Sequence, residues 1–351
     1  MPSLPLGKIG AAVGVAAAAG VTATAVVVGR RLVKNMRELE ELAVEADAFG
    51  TLHGVPIDVR TDDDVRLSVE VYEHPDPAAP TLVFTHGFAL NQQMWHYQRR
   101  DLTDLGRLVF WDARGHGDSE AGAPEGDTLE RIATDLGEVI DAVAPTGPLI
   151  LVGHSMGGMS TLLLGGQRPD LYVERVHGVA LLSTAASDVR FNGLPRPVAA
   201  LTRRYGARVA STLARHPAIV ERGLSVGDEL IMLFTQAYGF GEDASPSLVA
   251  FTKQMHATTP LDVVAAMLPG FEHFDATIAL DVIRETETVV VVGDSDLLTP
   301  PERSEALAET IVGARLVVLA RTGHMTPLER PAEVNEEIRA LVARALTPSV
   351  Q

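Results

Sequence analysis

A serine flanked by glycines marks the first place in this chain where chemistry could occur. Ser155 is the centre of "GHSMG" at 153–157, which separates the apolar run "LILVG" from a helical pattern. A tight turn between a strand and a helix can hold a serine hydroxyl above the edge of a sheet as a nucleophile. A serine in this place can also simply cap the helix. The first interpretation requires a base and an acid elsewhere in the chain.

Candidates for that base and acid follow two later apolar runs. Asp294 and Asp296 come directly after "TVVVVG", and His324 lies in "RTGHMTP" after "RLVVLA". The order serine, acid, histidine is the one that a nucleophile at a strand–turn–helix junction uses. Because ligand sites of open α/β sheets lie at the carboxyl ends of the strands, both loops are expected beside Ser155. Turn chemistry is the alternative interpretation of the aspartates, and a surface loop is that of the histidine.

The segment "THGF" at 85–88 offers a place to hold a developing oxyanion. It follows an apolar run, and the main-chain amides of Phe88 and Met156 are expected to point at the substrate oxygen, one from each loop. Removing one such donor costs about 3 kcal/mol of transition-state stabilisation. His86 is expected to hold this loop rather than to act as a base, because no acid follows it in a useful order.

Residues arranged in this way require a sheet whose strands alternate with helices. The β-patterns on either side of "TDDD" predict an antiparallel hairpin, and the later apolar runs predict strands that are buried on both faces. The strand patterns lie at 55–60, 65–73, 81–86, 107–112, 149–154, 176–183, 288–294 and 315–320, and helical patterns at 128–143, 156–167, 301–312 and 331–346. The predicted fold class is α/β, a mostly parallel sheet with helices on both faces. Residues 187–275 carry helical patterns without a clear strand and are predicted to form an insertion.

Four motifs resemble those of one superfamily. They are "HGF" at 86–88, "DARGHGDS" at 112–119, "GHSMGG" at 153–158, and "GDSDLLTP" with "GHMTPLERP" near the end. The chain resembles the α/β-hydrolase fold superfamily, in particular its capped serine hydrolases, among which are esterases and haloperoxidase-like perhydrolases. The resemblance implies a core of 51–186 and 276–351 with a helical cap, 187–275, inserted after the sixth strand.

The resemblance also implies a role for individual residues. Ser155 would be the nucleophile, His324 the base and Asp296 the acid, since the acid of the superfamily commonly lies three residues after the glycine that ends the strand. A minority of members carry it after the preceding strand, where Asp188 stands here. Asp112 of the "DARGHGDS" motif would be structural. No cofactor and no metal are implied.

The nucleophile restricts the substrate. Members that attack with an aspartate form alkyl–enzymes, whereas a serine forms an acyl-enzyme, so the substrate is expected to be a carbonyl compound. Apolar side chains of the predicted cap favour a small-molecule apolar ester, and an esterase or lipase is the leading hypothesis. Alternatives on the same residues are a perhydrolase, a C–C bond hydrolase, a thioester hydrolase and a non-catalytic ligand sensor. The absence of cysteine excludes cysteine nucleophiles and thiolate zinc sites, and the net charge of −17 argues against nucleic acid as a partner.

The N-terminal residues 1–50 differ from the rest of the chain. Residues 9–29 carry no charge and are long enough to cross a bilayer, so they predict a retained membrane anchor followed by a connecting helix. The basic residues Arg30, Arg31, Lys34 and Arg37 follow the anchor and favour a cytoplasmic catalytic domain. A signal peptide cleaved after "ATA" at 23–25, which would export the protein, and a soluble alanine-rich helix are the alternatives.

Overall fold

A computed structural model describes residues 48–123, 126–187, 238–242, 244–284 and 286–347. These residues build one eight-stranded sheet, in the order β1-β2-β4-β3-β5-β6-β7-β8. The strands are β1 Val55–Arg60, β2 Arg66–Tyr72, β3 Thr81–Thr85, β4 Arg107–Trp111, β5 Leu149–His154, β6 Val176–Leu182, β7 Glu287–Gly293 and β8 Arg315–Leu319. Each lies within two residues of a predicted strand. The predicted α/β-hydrolase architecture, with its mostly parallel sheet, is therefore confirmed.

Only β2 runs against the direction of the other seven strands. β1 and β2 form the predicted antiparallel hairpin, in which Val55 pairs with Val71 and Arg60 with Arg66. β2 then pairs antiparallel with β4, whereas β3 to β8 all run parallel to their neighbours. All carboxyl ends of the parallel strands consequently meet at one edge.

The central strands are buried on both faces because helices cover the sheet on each side. Along β3, Val83 points into one apolar cluster while Leu82 and Phe84 point into the other. This alternation follows from the two-residue repeat of a strand. Each fully buried side chain of this size contributes about 1.5–3 kcal/mol. The continuous apolar runs of the sequence thus reflect burial on both faces.

The helices follow the predicted pattern, with several short additions. The described helices are α1 His96–Asp101, α2 Leu129–Val143, α3 Met156–Gln167, α4 Pro169–Arg175, α5 Pro246–Thr258, α6 Leu261–Glu272, α7 Leu280–Ile283, α8 Pro301–Thr310, α9 Thr326–Glu329 and α10 Pro331–Ala345. α2 and α3 pack in the cluster that contains Val83, and α10 packs in the cluster that contains Phe84. The four helices predicted from periodicity, α2, α3, α8 and α10, are confirmed to within two residues. The shorter α1, α4, α7 and α9 were not predicted.

Two helices, α5 and α6, lie between β6 and β7, within the predicted cap. An isolated antiparallel bridge joins Ser187 to Asp275, the residues at the two ends of this insertion. Residues 188–237 of the cap, with the alternative acid Asp188, lie outside the described residues. The division into core and cap stays a prediction.

Most of the N-terminal segment for which an anchor was predicted also lies outside the described residues. The predicted anchor, 9–29, and the connecting helix up to residue 47 are not among the described residues. Within residues 48–347, none of the described helices has the length and apolar content that crossing a bilayer requires. The first described segment lies on the cap: Phe49 stacks on Phe251 of α5, with ring centroids 4.7 Å apart.

Candidate active site

The turn between β5 and α3 holds Ser155 in a strained conformation. Its φ of 50° and ψ of −115° are rare for a residue with a side chain, and such strain persists only where the surroundings impose it. The Ser155 amide donates to the Leu182 carbonyl (2.9 Å), and the Ser155 carbonyl accepts from Thr184 Oγ1 (2.7 Å). The Ser155 side chain makes no capping hydrogen bond to the described helix α3. Helix capping therefore does not account for this serine.

Glycines allow this turn to pack closely on the neighbouring strands. A Cβ atom on Gly157 would lie 2.0 Å from the Thr85 carbonyl oxygen at the end of β3. A Cβ atom on Gly158 would lie 2.6 Å from Thr184, which follows β6. No side chain fits at either position, so the glycines of "GHSMGG" let α3 begin directly against the carboxyl edge of the sheet.

His324 and Asp296 form a buried pair at the same edge. His324 Nδ1 lies 2.8 Å from Asp296 Oδ2, and the two residues are 5% and 2% exposed. Asp296 Oδ1 accepts from the amides of Leu298 and Thr299 (2.9 Å each), and Oδ2 also accepts from Thr299 Oγ1 (2.9 Å). These bonds fix the carboxylate, so it can hold the imidazole in one orientation.

The second candidate acid, Asp294, lies apart from the histidine. It is exposed, and its Oδ1 accepts from Ser295 Oγ (2.9 Å) and from the Thr322 amide (3.3 Å). Hydrogen bonding to the Arg321 main chain, followed by the bonds to Ser295 and Thr322, lowers its pKa. Asp294 thus braces the loop, which is the turn role weighed from the sequence, while Asp296 contacts His324.

His154 joins the serine loop to the histidine loop. The imidazole of His154, the residue before Ser155, donates from Nε2 to the His324 carbonyl (2.9 Å), and the two rings lie 4.9 Å apart. One strand further along, Ser183 Oγ lies 3.2 Å from Thr326 Oγ1. The structure therefore brings together the loops of Ser155, Asp296 and His324, as the order of the motifs predicted. His154 itself was missed, and its position before the serine was the only signal for it.

The segment after β3 lies against the same turn. A Cβ atom on Gly87 would be 2.7 Å from His154 Nδ1, and Ala89 adopts a positive φ of 56°. Met156 occupies the first position of α3, where an amide has no acceptor within the helix. The ring of Phe88 meets that of Phe271 from α6, with centroids 5.1 Å apart. The loop that carries Phe88 thus lies against His154, the residue before Ser155, and Met156 follows the serine directly.

His86 keeps its side chain within the fold. Its Nε2 accepts from the Ala113 amide (3.0 Å) and its Nδ1 donates to the Gly87 carbonyl (2.7 Å). Burial, together with the nearby His116, lowers the pKa of His86 to about 3, so the ring is neutral. Both nitrogens are occupied, and the residue anchors the loop that precedes Phe88.

Asp112 has a comparable anchoring position. Its Oδ1 accepts from the Gln92 amide (2.7 Å) and its Oδ2 from the Asp118 amide (3.0 Å). Burial raises the pKa of Asp112 to about 6 although these bonds oppose the shift. The side chain joins two loops at the sheet edge and contacts neither Ser155 nor His324.

Comparisons with known proteins agree with the observed fold. The family model described as "Alpha/beta hydrolase family" matches residues 82–337. A solved thermophilic esterase from Thermogutta terrifontis is 27% identical, with a TM-score of 0.67 over 83% of this chain and 99% of its own.

Two curated relatives have different substrates. The Acinetobacter baylyi 3-oxoadipate enol-lactonase 2 is 26% identical over 82% of this chain and 97% of its own. A Stutzerimonas stutzeri protein provisionally named carbamate hydrolase RutD is 24% identical over 77% and 94%. These similar proteins are hydrolases of an ester, a lactone or, by name, a carbamate.

Proposed function

The chain belongs to the alpha/beta hydrolase family, and we propose that it hydrolyses carboxylic esters through an acyl-enzyme on Ser155. His324 is the general base and Asp296 the acid that orients it. The observation that carries the proposal is the 2.8 Å contact between His324 Nδ1 and Asp296 Oδ2. The main chain of His324 is in turn hydrogen-bonded to His154, the residue before the strained Ser155.

The contact between His324 and Asp296 supports one direction of proton transfer. A carboxylate only accepts, so His324 Nδ1 carries a proton toward Asp296, and the lone pair is on Nε2. Ser155 Oγ attacks the ester carbonyl carbon while its proton passes to Nε2. The C–O bond to the alcohol then breaks, the leaving oxygen takes that proton, and water attacks the acyl-enzyme by the same route in reverse. The products are a carboxylic acid and an alcohol.

The developing oxyanion is assigned to two main-chain amides. We propose that those of Phe88 and Met156 receive it, one from the loop after β3 and one from the start of α3. The position of Met156 at a helix N-terminus supports this role, because the helix dipole favours negative charge there. Together these donors would supply several kcal/mol to the transition state.

The cap supports an apolar substrate. Phe271 of α6 packs against Phe88, and a Cβ atom on Gly115 would lie 2.7 Å from Val263 of the same helix. Apolar side chains of the cap therefore extend to the loop that carries the proposed oxyanion donor. Apolar side chains at this place favour an apolar acyl or alcohol group in the substrate. The similar proteins are named for esters, lactones and carbamates, and each of these compounds has a carbonyl carbon that a nucleophile can attack.

We also propose that residues 9–29 attach the enzyme to a membrane, with the catalytic domain on the cytoplasmic side. The uncharged stretch and the basic residues that follow it support this proposal. The alternative is an exported form from which the segment has been cleaved, and protease treatment of intact cells distinguishes the two.

A p-nitrophenyl ester series of increasing acyl length tests the function. The full-length chain is expected to hydrolyse medium-chain esters faster than the acetate, because the cap is apolar. Ser155→Ala should lose several orders of magnitude in kcat. Ser160→Ala is the matched control, since Ser160 is buried in the same helix and donates only to the Met156 carbonyl. Ester hydrolysis that survives in Ser155→Ala would refute the proposal, and hydrolysis of thioesters or diketones alone would move the chain to another reaction class.

A further inference from the structure

One side chain contacts all three parts of the candidate site. His154 is the last residue of β5, its ring is fully buried, and it is bonded through the backbone to Ser155. Its Nε2 donates to the His324 carbonyl, and its Nδ1 lies against Gly87 of the loop after β3. One ring therefore adjoins Ser155 and contacts both the loop that carries His324 (the histidine loop) and the loop that carries Phe88 (the oxyanion loop).

The proton positions on this ring follow from its partner. A carbonyl oxygen only accepts, so Nε2 carries the proton and Nδ1 bears the lone pair. Burial and the nearby His324 lower the pKa of His154 to about 3, which keeps the ring neutral at the pH of ester hydrolysis. Nδ1 is buried and has no hydrogen-bond partner among the described residues.

Because Nδ1 is unpaired, the hydrogen bond that favours a histidine at this position is the one made by Nε2. A buried polar atom without a partner costs about 1–3 kcal/mol, and an apolar side chain of similar size would avoid that cost. The compensating interaction is the bond from Nε2 to His324, the residue proposed as the base. Packing alone would not require a histidine at this position.

We infer that His154 is a positioning residue that holds the main chain of His324 at a fixed place relative to Ser155 and to the oxyanion loop. This inference rests on the proposed roles of Ser155 and His324. His154 does not contact the reacting atoms. It acts through the histidine loop, whose displacement would lengthen the path from Ser155 Oγ to the imidazole.

The consequence is a selective loss of turnover. Misplacement of a catalytic group by about 1 Å can cost on the order of 100-fold in rate. Substrate binding against the cap does not use the base, so KM should change little. Chemistry that depends on the alignment of the base should slow, and kcat should fall with it.

Three substitutions in the full-length chain separate this role from packing. His154→Met has a similar volume without a donor, and we expect kcat to fall by about 10- to 100-fold with KM within about threefold. His154→Gln keeps an amide N–H near the position of Nε2, so its kcat should lie within about fivefold of the kcat of the unsubstituted chain. Thr288→Val is the stability control, because the buried Thr288 hydroxyl donates to the Thr286 carbonyl at the amino end of β7, the opposite end of the strand from Asp296.

The measurements are kcat and KM for p-nitrophenyl butyrate, with a melting temperature for each variant. A kcat for His154→Met equal to that of the original chain, or an equal loss in His154→Gln, would overturn the inference. If His154→Met does not fold, His154→Gln is compared with His154→Asn, whose amide is too short to reach His324. Equal kcat in that pair would also overturn it. Ser155→Ala measured in parallel separates the two proposals: activity without Ser155 refutes the proposed function, whereas an inactive Ser155→Ala beside a fully active His154→Met refutes only the role of His154.

Discussion

Two aspartates that are separated by a single residue, Ser295, have different environments. Asp296 is buried and accepts from His324, whereas Asp294 is exposed and braces the Thr322 main chain. The spacing of the residues alone left both as candidate acids, because each follows β7 and each suits a turn. The choice depends on which carboxylate points at His324, and that is set by the path of the loop. The sequence therefore predicted the loop and the residue types, and the structure was needed for the contact.

The two aspartates can be separated by amide substitutions. Asp296→Asn should lower kcat by about 10⁴-fold, because an amide N–H in place of Oδ2 would favour the wrong tautomer of the histidine. Asp294→Asn should cost less than about fivefold, since it touches only the loop. Steady-state hydrolysis of a p-nitrophenyl ester measures both. The reverse pattern would assign the acid to Asp294, and loss in neither variant would point to Asp188.

Strands and helices could be predicted from the pattern of apolar residues where the burial along the element is regular. Strands such as β5 and β7 are covered on both faces, so their apolar runs could be read from the sequence with nearly correct ends. α2 was also predicted, since Thr128 caps it and one face is buried. α4 and α9 have seven and four residues, too few for an apolar period to repeat. The glycines around Ser155 were predicted as a tight turn, but their close contacts come from β3 and β6.

A pair of glycine substitutions in α3 tests that packing. Gly157→Ala would place a methyl group 2.0 Å from the Thr85 carbonyl oxygen, so it should lower the melting temperature by many degrees or prevent folding. Gly166→Ala, whose Cβ atom would meet Ala279 at an ordinary 3.6 Å, should stabilise the helix by about 0.5–1 kcal/mol. Thermal unfolding monitored by circular dichroism measures both. A Gly157→Ala protein as stable as Gly166→Ala would contradict the close contact between turn and strand.

At the scale of the whole molecule, buried ionisable groups link the site to stability. His86, His116 and His154 are fully buried, and burial lowers their pKa to about 3, 4 and 3. His86 and His116 belong to loops at the carboxyl edge of the sheet, and His154 ends β5 at the same edge. Asp112 lies in the same region, and burial raises its pKa to about 6. The edge that carries the candidate site thus contributes to how the fold responds to acid.

The free energy of unfolding should fall as the pH drops below about 6.5. In that range the unfolded chain binds protons on these histidines while the folded chain does not, so each histidine lowers stability by up to about 1.4 kcal/mol per pH unit. Asp112 opposes the slope, because above about pH 4 its raised pKa makes the folded chain bind the additional proton. Among these four groups three histidines outweigh one carboxyl, so their combined contribution to the loss on acidification should approach about 3 kcal/mol per pH unit near pH 5.

Urea unfolding between about pH 7 and pH 5 measures this slope. His116→Gln should reduce it by up to about 1.4 kcal/mol per pH unit, since one buried site no longer titrates in the unfolded chain. His177→Gln is the control, because His177 is exposed, and it should leave the slope unchanged. A slope that is equal in the original chain and in His116→Gln would contradict the neutral, buried state of His116.

The proposed membrane anchor is tested on intact cells. If residues 9–29 form the proposed anchor, the full-length protein should sediment with membranes and resist external protease until the cells are lysed, because the basic residues after them favour the cytoplasm. Deletion of residues 1–29 should move it to the supernatant. Digestion in intact cells would place the domain outside, and a mature N-terminus at Val26 would show that the segment is a cleaved signal.

Covalent acylation of Ser155 can be tested by trapping the serine with a fluorophosphonate. The probe forms a stable phosphonyl bond with an activated serine, so peptide mass spectrometry identifies the residue that the base activates. We predict one adduct, on the peptide containing Ser155, with loss of ester hydrolysis in proportion to labelling. His324→Ala should slow that labelling by orders of magnitude, and Ser155→Ala should abolish it. A fully active enzyme without an adduct, or equal labelling of another serine in Ser155→Ala, would contradict the account.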